Sequence, residues 1–158
     1  MGRIVPTRTT LRLLLPVALL LNTGCMIRDI RWGPIRPPRG APYREIVLDT
    51  TGYCPCSVCC GWRRNWYGRP VVAQGPYRGQ AKAVRHTASG VRARSGTIAA
   101  DTALFPFGTV MYVPGYGYGR VEDRGGDIKG DHIDLFFLRH RGALDWGHVR
   151  KKVRVWQK

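Results

Sequence analysis

Gly96-Thr97-Ile98-Ala99-Ala100-Asp101, then Pro106-Phe107-Gly108-Thr109-Val110-Met111-Tyr112-Val113-Pro114-Gly115-Tyr116-Gly117, then Arg120-Val121-Glu122-Asp123-Arg124-Gly125-Gly126-Asp127-Ile128-Lys129-Gly130 and His132-Ile133-Asp134-Leu135-Phe136-Phe137 decide how this chain folds. Thr97–Ala100, Thr109–Val113, Arg120–Asp123 and His132–Phe137 are short runs rich in β-branched and aromatic residues, the composition strands prefer. Between them stand Pro106-Phe107-Gly108, Pro114-Gly115-Tyr116-Gly117 and a loop from Arg124 to Gly130, each with turn-forming residues. Many short strands with frequent turns argue for a small all-β barrel or sandwich.

Working outward, Val149, Lys151, Val153 and Val155 alternate with Arg150, Lys152, Arg154 and Trp156, which predicts a final strand with two distinct faces. Ala143–Gly147 reads as one helical turn. Upstream, Glu45–Asp49 is a strand candidate, residues 52–69 read as irregular, and residues 70–96 carry no decisive pattern. Residues 26–44 hold Pro34, Pro37, Pro38 and Pro42 among arginines and glycines and read as an extended tether.

Arg3, Arg8 and Arg12 precede the apolar run Leu13–Leu21, which ends at Asn22-Thr23-Gly24-Cys25. This is the order of an export signal, assigned to residues 1–25. A nine-residue apolar helix rises only about 14 Å, too short for a hydrocarbon core of roughly 30 Å. Thr23-Gly24-Cys25 is similar to the end of a bacterial lipobox, although Asn22 stands where that pattern has leucine. Lipidation of Cys25, with membrane anchoring, and plain cleavage both fit. The chain is exported on this reading, to a periplasm or cell envelope.

The net charge is +16, from 26 Lys and Arg against 10 Asp and Glu. Such a surface seeks polyanions. An export signal makes nucleic acid a poor partner and leaves wall polymers, peptidoglycan carboxylates and lipid head groups; solubility alone is the plain alternative.

The ordered blocks quoted above resemble the 3D domain, a family named for three aspartates that match Asp101, Asp123 and Asp134. Thr87-Ala88-Ser89-Gly90 and Gly52-Tyr53-Cys54-Pro55-Cys56 with Cys59-Cys60-Gly61 are similar to its lead-in segments. Asp127 departs from the family, which commonly has alanine there. The resemblance covers roughly residues 46–156. It implies a six-stranded double-psi β-barrel over residues 45–158, with short helical turns and a Cys-rich loop. It also implies kinship with the C-terminal region of membrane-bound lytic transglycosylase A.

That kinship implies cleavage of peptidoglycan glycan strands without a cofactor. Asp134 would be the acid and base, with Asp123 and Asp101 holding it and stabilising an oxocarbenium-like state. Thr87, Ser89, Gly125, Gly126 and Lys129, together with Arg120 and Arg124, are the expected substrate-binding residues. Aspartates beside glycines also cap turns, and that alternative is strongest for Asp101. A non-catalytic, expansin-like polysaccharide-binding module is the second functional reading.

Cys54, Cys56, Cys59 and Cys60 form an even set in an exported chain, which favours two disulfides. A four-cysteine metal site is the rival, and free or redox-active thiols are the third alternative. His86, His132, His140 and His148 have no metal-ligand spacing and read as structural or exposed, so none of them is expected to bind a metal.

Overall fold

The computed structural model describes Gly2 and residues 35–157. The export signal, Cys25 and most of the tether lie outside the described residues. Ten elements follow in chain order: β1 (Arg44–Tyr53), α1 (Ser57–Cys60), β2 (Trp62–Arg64), β3 (Pro70–Val72), β4 (Thr97–Ala100), β5 (Val110–Val113), β6 (Gly117–Asp123), β7 (His132–Phe136), α2 (His140–Trp146) and β8 (Val149–Trp156). Six strands close into a barrel in the order β1-β7-β4-β6-β5-β8, and β2 and β3 form a separate two-stranded sheet. Closure leaves the barrel strands without a free edge. The fold is a closed all-β barrel with few helices, which decides between the barrel and the sandwich that the strand-and-turn pattern allows.

Alternation explains most of the core. Leu48, Ile98, Ala100, Phe105, Met111, Val113, Val121, Ile133, Leu135, Val153 and Val155 form one buried cluster. Each large side chain in it contributes about 1.5–3 kcal/mol by leaving water. β4 is buried along its whole length, because β6 lies parallel to it on one side and β7 antiparallel on the other. The β4–β6 register shifts between Ile98 and Ala99. Gly119 sits beside this irregularity, where a Cβ would come 2.5 Å from Ile98 Cδ1 and 2.9 Å from Gly96 O. No other residue fits there without moving β4.

Two segments depart from the sequence reading. β1 runs on past Asp49 to Tyr53, since Thr50–Tyr53 pair in parallel with Ile133–Phe136. That partner is some 80 positions away, so no local pattern announces it. Residues 52–69 are likewise more regular than expected. Cys56 caps α1 by accepting from Cys59 N, and Gly61 ends it in the left-handed region at φ 55°.

α2 packs back onto β1 at Gly52. A Cβ there would meet Ala143 Cα, Ala143 O and Phe137 Cε2, each at 3.0 Å. Trp146 pins the helix by donating from Nε1 to the fully buried Thr50 Oγ1 at 3.1 Å, and Thr50 donates in turn to Val149 O at 2.7 Å.

Candidate active site

The site forms around the small side chain of Ala99 on β4. On one flank Ala99 pairs with Asp134 of β7, and on the other with Asp123 of β6. Two strand spacings, about 9–10 Å, therefore separate the two aspartate backbones. Both aspartates and Ala99 line a cleft of about 280 Å³.

Asp134 Oδ1 accepts the Thr51 hydroxyl at 2.9 Å. Thr51 Oγ1 also lies 2.8 Å from His132 Nε2. Because the one hydroxyl hydrogen goes to Asp134, His132 Nε2–H is the donor to Thr51. Burial raises the Asp134 pKa above the ordinary carboxylate range, and the charge of Asp123 adds to this. The Thr51 bond, the neighbouring His132 and the Leu135 N–H pull it down in part.

Asp123 is held differently. Its Oδ2 accepts the Tyr53 hydroxyl at 3.1 Å, while Oδ1 accepts Ala88 N and Arg124 N, both at 2.9 Å. Burial first, then Asp123 itself, pushes the Tyr53 phenol well above its ordinary pKa, so Tyr53 remains a donor.

The third aspartate stands apart. Asp101 is not among the cleft-lining residues. It accepts Ala103 N and Gly130 N, both at 3.1 Å, and these two bonds lower its pKa. Asp101 thus joins the turn after β4 to the loop before β7, a geometry that matches the turn-capping alternative.

The expected substrate-binding residues also divide. Gly125 and Arg124 line the cleft; Thr87, Ser89, Gly126, Lys129 and Arg120 do not. The Thr87 hydroxyl is used within its own loop, donating to Val91 O and accepting from Val91 N. What that loop delivers to the site is the Ala88 amide on Asp123. Arg120 faces the buried Glu122 at 3.8 Å. Sequence reasoning missed Tyr53, Lys82, Arg85, His86 and Ala99, all of which line the cleft. Arg85 has a backbone φ of 65°, and its buried Nε makes no hydrogen bond among the described residues. No local pattern in residues 70–96 marks Lys82, Arg85 or His86, whereas Tyr53 and Ala99 stand inside the quoted blocks without a chemical signal of their own.

The cysteines require a correction. Cys54, Cys56, Cys59 and Cys60 are free thiols, and the Cys54 and Cys59 sulfurs stand 3.7 Å apart, far beyond the roughly 2.05 Å of a disulfide. His140, read from the sequence as structural or exposed, points its Nδ1 into three of them, at 3.7 Å from Cys54, 3.5 Å from Cys56 and 3.4 Å from Cys59. Cys60 turns away and donates to Cys54 O at 3.1 Å.

Comparison with known proteins agrees with the resemblance in the sequence. Residues 96–157 match the family model described as 3D domain. YabE of Bacillus subtilis (strain 168), named for cell wall shaping, is 38% identical over 74 residues, which are 44% of this chain and 18% of YabE. YocH of the same organism, named a cell wall-binding protein, is 41% identical over 58 residues, 37% of this chain and 20% of YocH. The crystal structure of E. coli MltA with bound chitohexaose superposes with a TM-score of 0.40 at 23% identity, over 50% of this chain and 29% of MltA. The chain therefore spans less than a third of each of these relatives.

Proposed function

We propose that this protein acts in the cell envelope on the glycan strands of peptidoglycan, as a lytic transglycosylase. The observation that carries the reading is the pairing of two unlike carboxyls across Ala99: Asp134, buried and made less acidic, and Asp123, gripped by three donors. One site thus holds a proton donor and a fixed electrostatic partner. The cell-wall names of YabE and YocH support the choice of polymer.

In this mechanism protonated Asp134 gives its proton to the glycosidic oxygen as the C1–O bond breaks. The leaving sugar departs as an alcohol, and positive charge builds on the ring at C1. Asp123, across the cleft, stabilises that charge. The 6-hydroxyl of the same sugar then attacks C1, and the Asp134 carboxylate takes its proton. The product is a 1,6-anhydro ring, Asp134 is again protonated, and no water is consumed. Thr51 orients Asp134 throughout, and Tyr53 orients Asp123.

Lys82, Arg85 and Arg124 give the cleft a basic lining suited to the carboxylates of lactyl and peptide groups. Arg85 Nε, buried in the cleft wall, makes no hydrogen bond among the described residues. A second reading, a module that binds the wall without cutting it, is favoured by the name of YocH.

Mass spectrometry of soluble products from purified peptidoglycan incubated with the full chain tests the proposal. Ends of 1,6-anhydro-N-acetylmuramic acid are expected. Free reducing ends would replace transglycosylation with hydrolysis. Sedimentation of the folded protein with the wall and no release would favour the binding module.

A further inference from the structure

We propose that Cys54, Cys56, Cys59 and His140 are the four ligands of a structural zinc ion. This goes beyond the reading of the cleft and stands whether or not the cleft is catalytic.

Three thiols and one ring nitrogen converge so that all four donor atoms lie within 4.8 Å of one another. The separations fit a particular polyhedron. A tetrahedral ion with Zn–S of about 2.3 Å and Zn–N of about 2.0–2.1 Å places its sulfurs about 3.8 Å apart and each sulfur about 3.6 Å from the nitrogen. The observed spacings are 3.7 Å between the Cys54 and Cys59 sulfurs, and 3.7, 3.5 and 3.4 Å from Cys54, Cys56 and Cys59 to His140 Nδ1. Disulfides would account for pairs of cysteines. They leave unexplained why a histidine more than 80 positions away aims its nitrogen at the centre of three sulfurs.

The donor set decides the metal. Three thiolates and an imidazole in a tetrahedron suit zinc, and four protein ligands close the site and leave no position for a substrate. The surrounding backbone is built for it. Cys56 sits at the N-cap of α1 and Cys59 one turn later, which turns both sulfurs the same way. Gly52 admits α2 against β1, which brings in His140. Cys60 is excluded as a ligand, since its sulfur bonds to Cys54 O.

The ion would join the segment after β1 to the start of α2. Pro55, Cys59 and Cys60 of that segment form part of the cleft wall, and Tyr53, which holds Asp123, directly precedes Cys54. Zinc here supplies cohesion that a small barrel wall otherwise lacks.

The test uses the full chain purified under reducing conditions with zinc supplied. Elemental analysis should find one zinc per chain, released when a mercurial blocks the thiols. Cobalt in place of zinc should give thiolate-to-cobalt charge transfer and tetrahedral d–d intensity, a readout that needs no variant. Cys59→Ser and His140→Ala should each lose the metal, while Cys60→Ser should keep all of it. A metal-free wild-type chain after zinc supply, a Cys54–Cys59 disulfide in that chain, an octahedral cobalt spectrum, or equal loss in Cys60→Ser would each overturn the assignment.

Discussion

Replacing Asp134 by asparagine separates a catalytic carboxyl from a structural one, because the structure assigns opposite signs to its effects on rate and stability. The amide is nearly the same shape, and its oxygen can still accept the Thr51 hydroxyl that lies 2.9 Å from Oδ1. What disappears is the acidic proton that a carboxyl can give up and take back. A positioned general acid and base contributes about 10²–10⁴ in rate. At 1.36 kcal/mol per decade, that is about 3–5 kcal/mol of barrier.

Stability should move the other way. Burial raises the Asp134 pKa in the folded protein. Between the ordinary carboxylate value and the raised one, the folded state therefore holds a proton that the unfolded state has released. Stability from this group falls as pH rises through that window, and the cost is fully present above it. The substituted amide never ionises, so Asp134→Asn should match wild type in acid and exceed it at neutral pH. Thermal melts across pH, release of anhydro-sugar products and sedimentation with the wall read the three quantities. Release within about fivefold of wild type would refute Asp134 as the acid. A variant less stable than wild type at neutral pH would show that the carboxylate is a structural group and would remove the argument from burial.

Three further outcomes follow from neighbouring contacts. Thr51→Val deletes a bond that lowers the Asp134 pKa, so the alkaline limb of the pH–activity profile should shift to higher pH; an unchanged limb would break the link between the two residues. Ala99→Leu puts a larger side chain into the cleft between the two aspartates while leaving both carboxyls in place, and should abolish product release and weaken wall binding together, as sedimentation and product analysis would show. Thr50→Val keeps side-chain shape but strips the acceptor from Trp146 Nε1 and the donor from Val149 O, for a loss of about 2 kcal/mol by urea denaturation, which Thr50→Ser should largely avoid.

Much of the barrel was legible because its strands announce themselves locally. Thr109–Val113, Arg120–Asp123 and His132–Phe137 combine β-formers with flanking turns, and the observed strands fall on them. Asp123 and Asp134 could be singled out because they belong to those blocks. Their meeting across Ala99 could not, since it depends on β6 and β7 flanking β4 in a register that includes a bulge. Asp101 carries the same motif signal as the other two, yet its position after β4 turns it toward the amides of Ala103 and Gly130. Lys82, Arg85 and His86 lie where composition gives no period to read. Cysteine spacing suggested disulfides for the same kind of reason: it does not contain His140, whose approach depends on α2 folding back over Gly52.

The end of β1 shows how these distant facts are joined in four consecutive residues. A strand sends successive side chains to opposite faces. Thr51 and Tyr53 share one face, and they bond to Asp134 and Asp123. Gly52 and Cys54 share the other, where Gly52 admits Ala143 of α2 and Cys54 meets His140. Both sets are right only in one register, because a slip of one residue would exchange the faces. The parallel pairing of Asp49–Tyr53 with His132–Phe136 fixes that register. A disturbance at the cysteine cluster therefore reaches Asp123 first, through the single peptide unit between Cys54 and Tyr53, while Thr51, which holds Asp134, lies two residues further back in the β1–β7 ladder. Disrupting the cluster should accordingly weaken the grip on Asp123 before it alters the environment of Asp134. Activity should then fall in rate with the pH limb set by Asp134 unmoved, and a shift of that limb on disruption would show that the two faces of β1 are not mechanically separate.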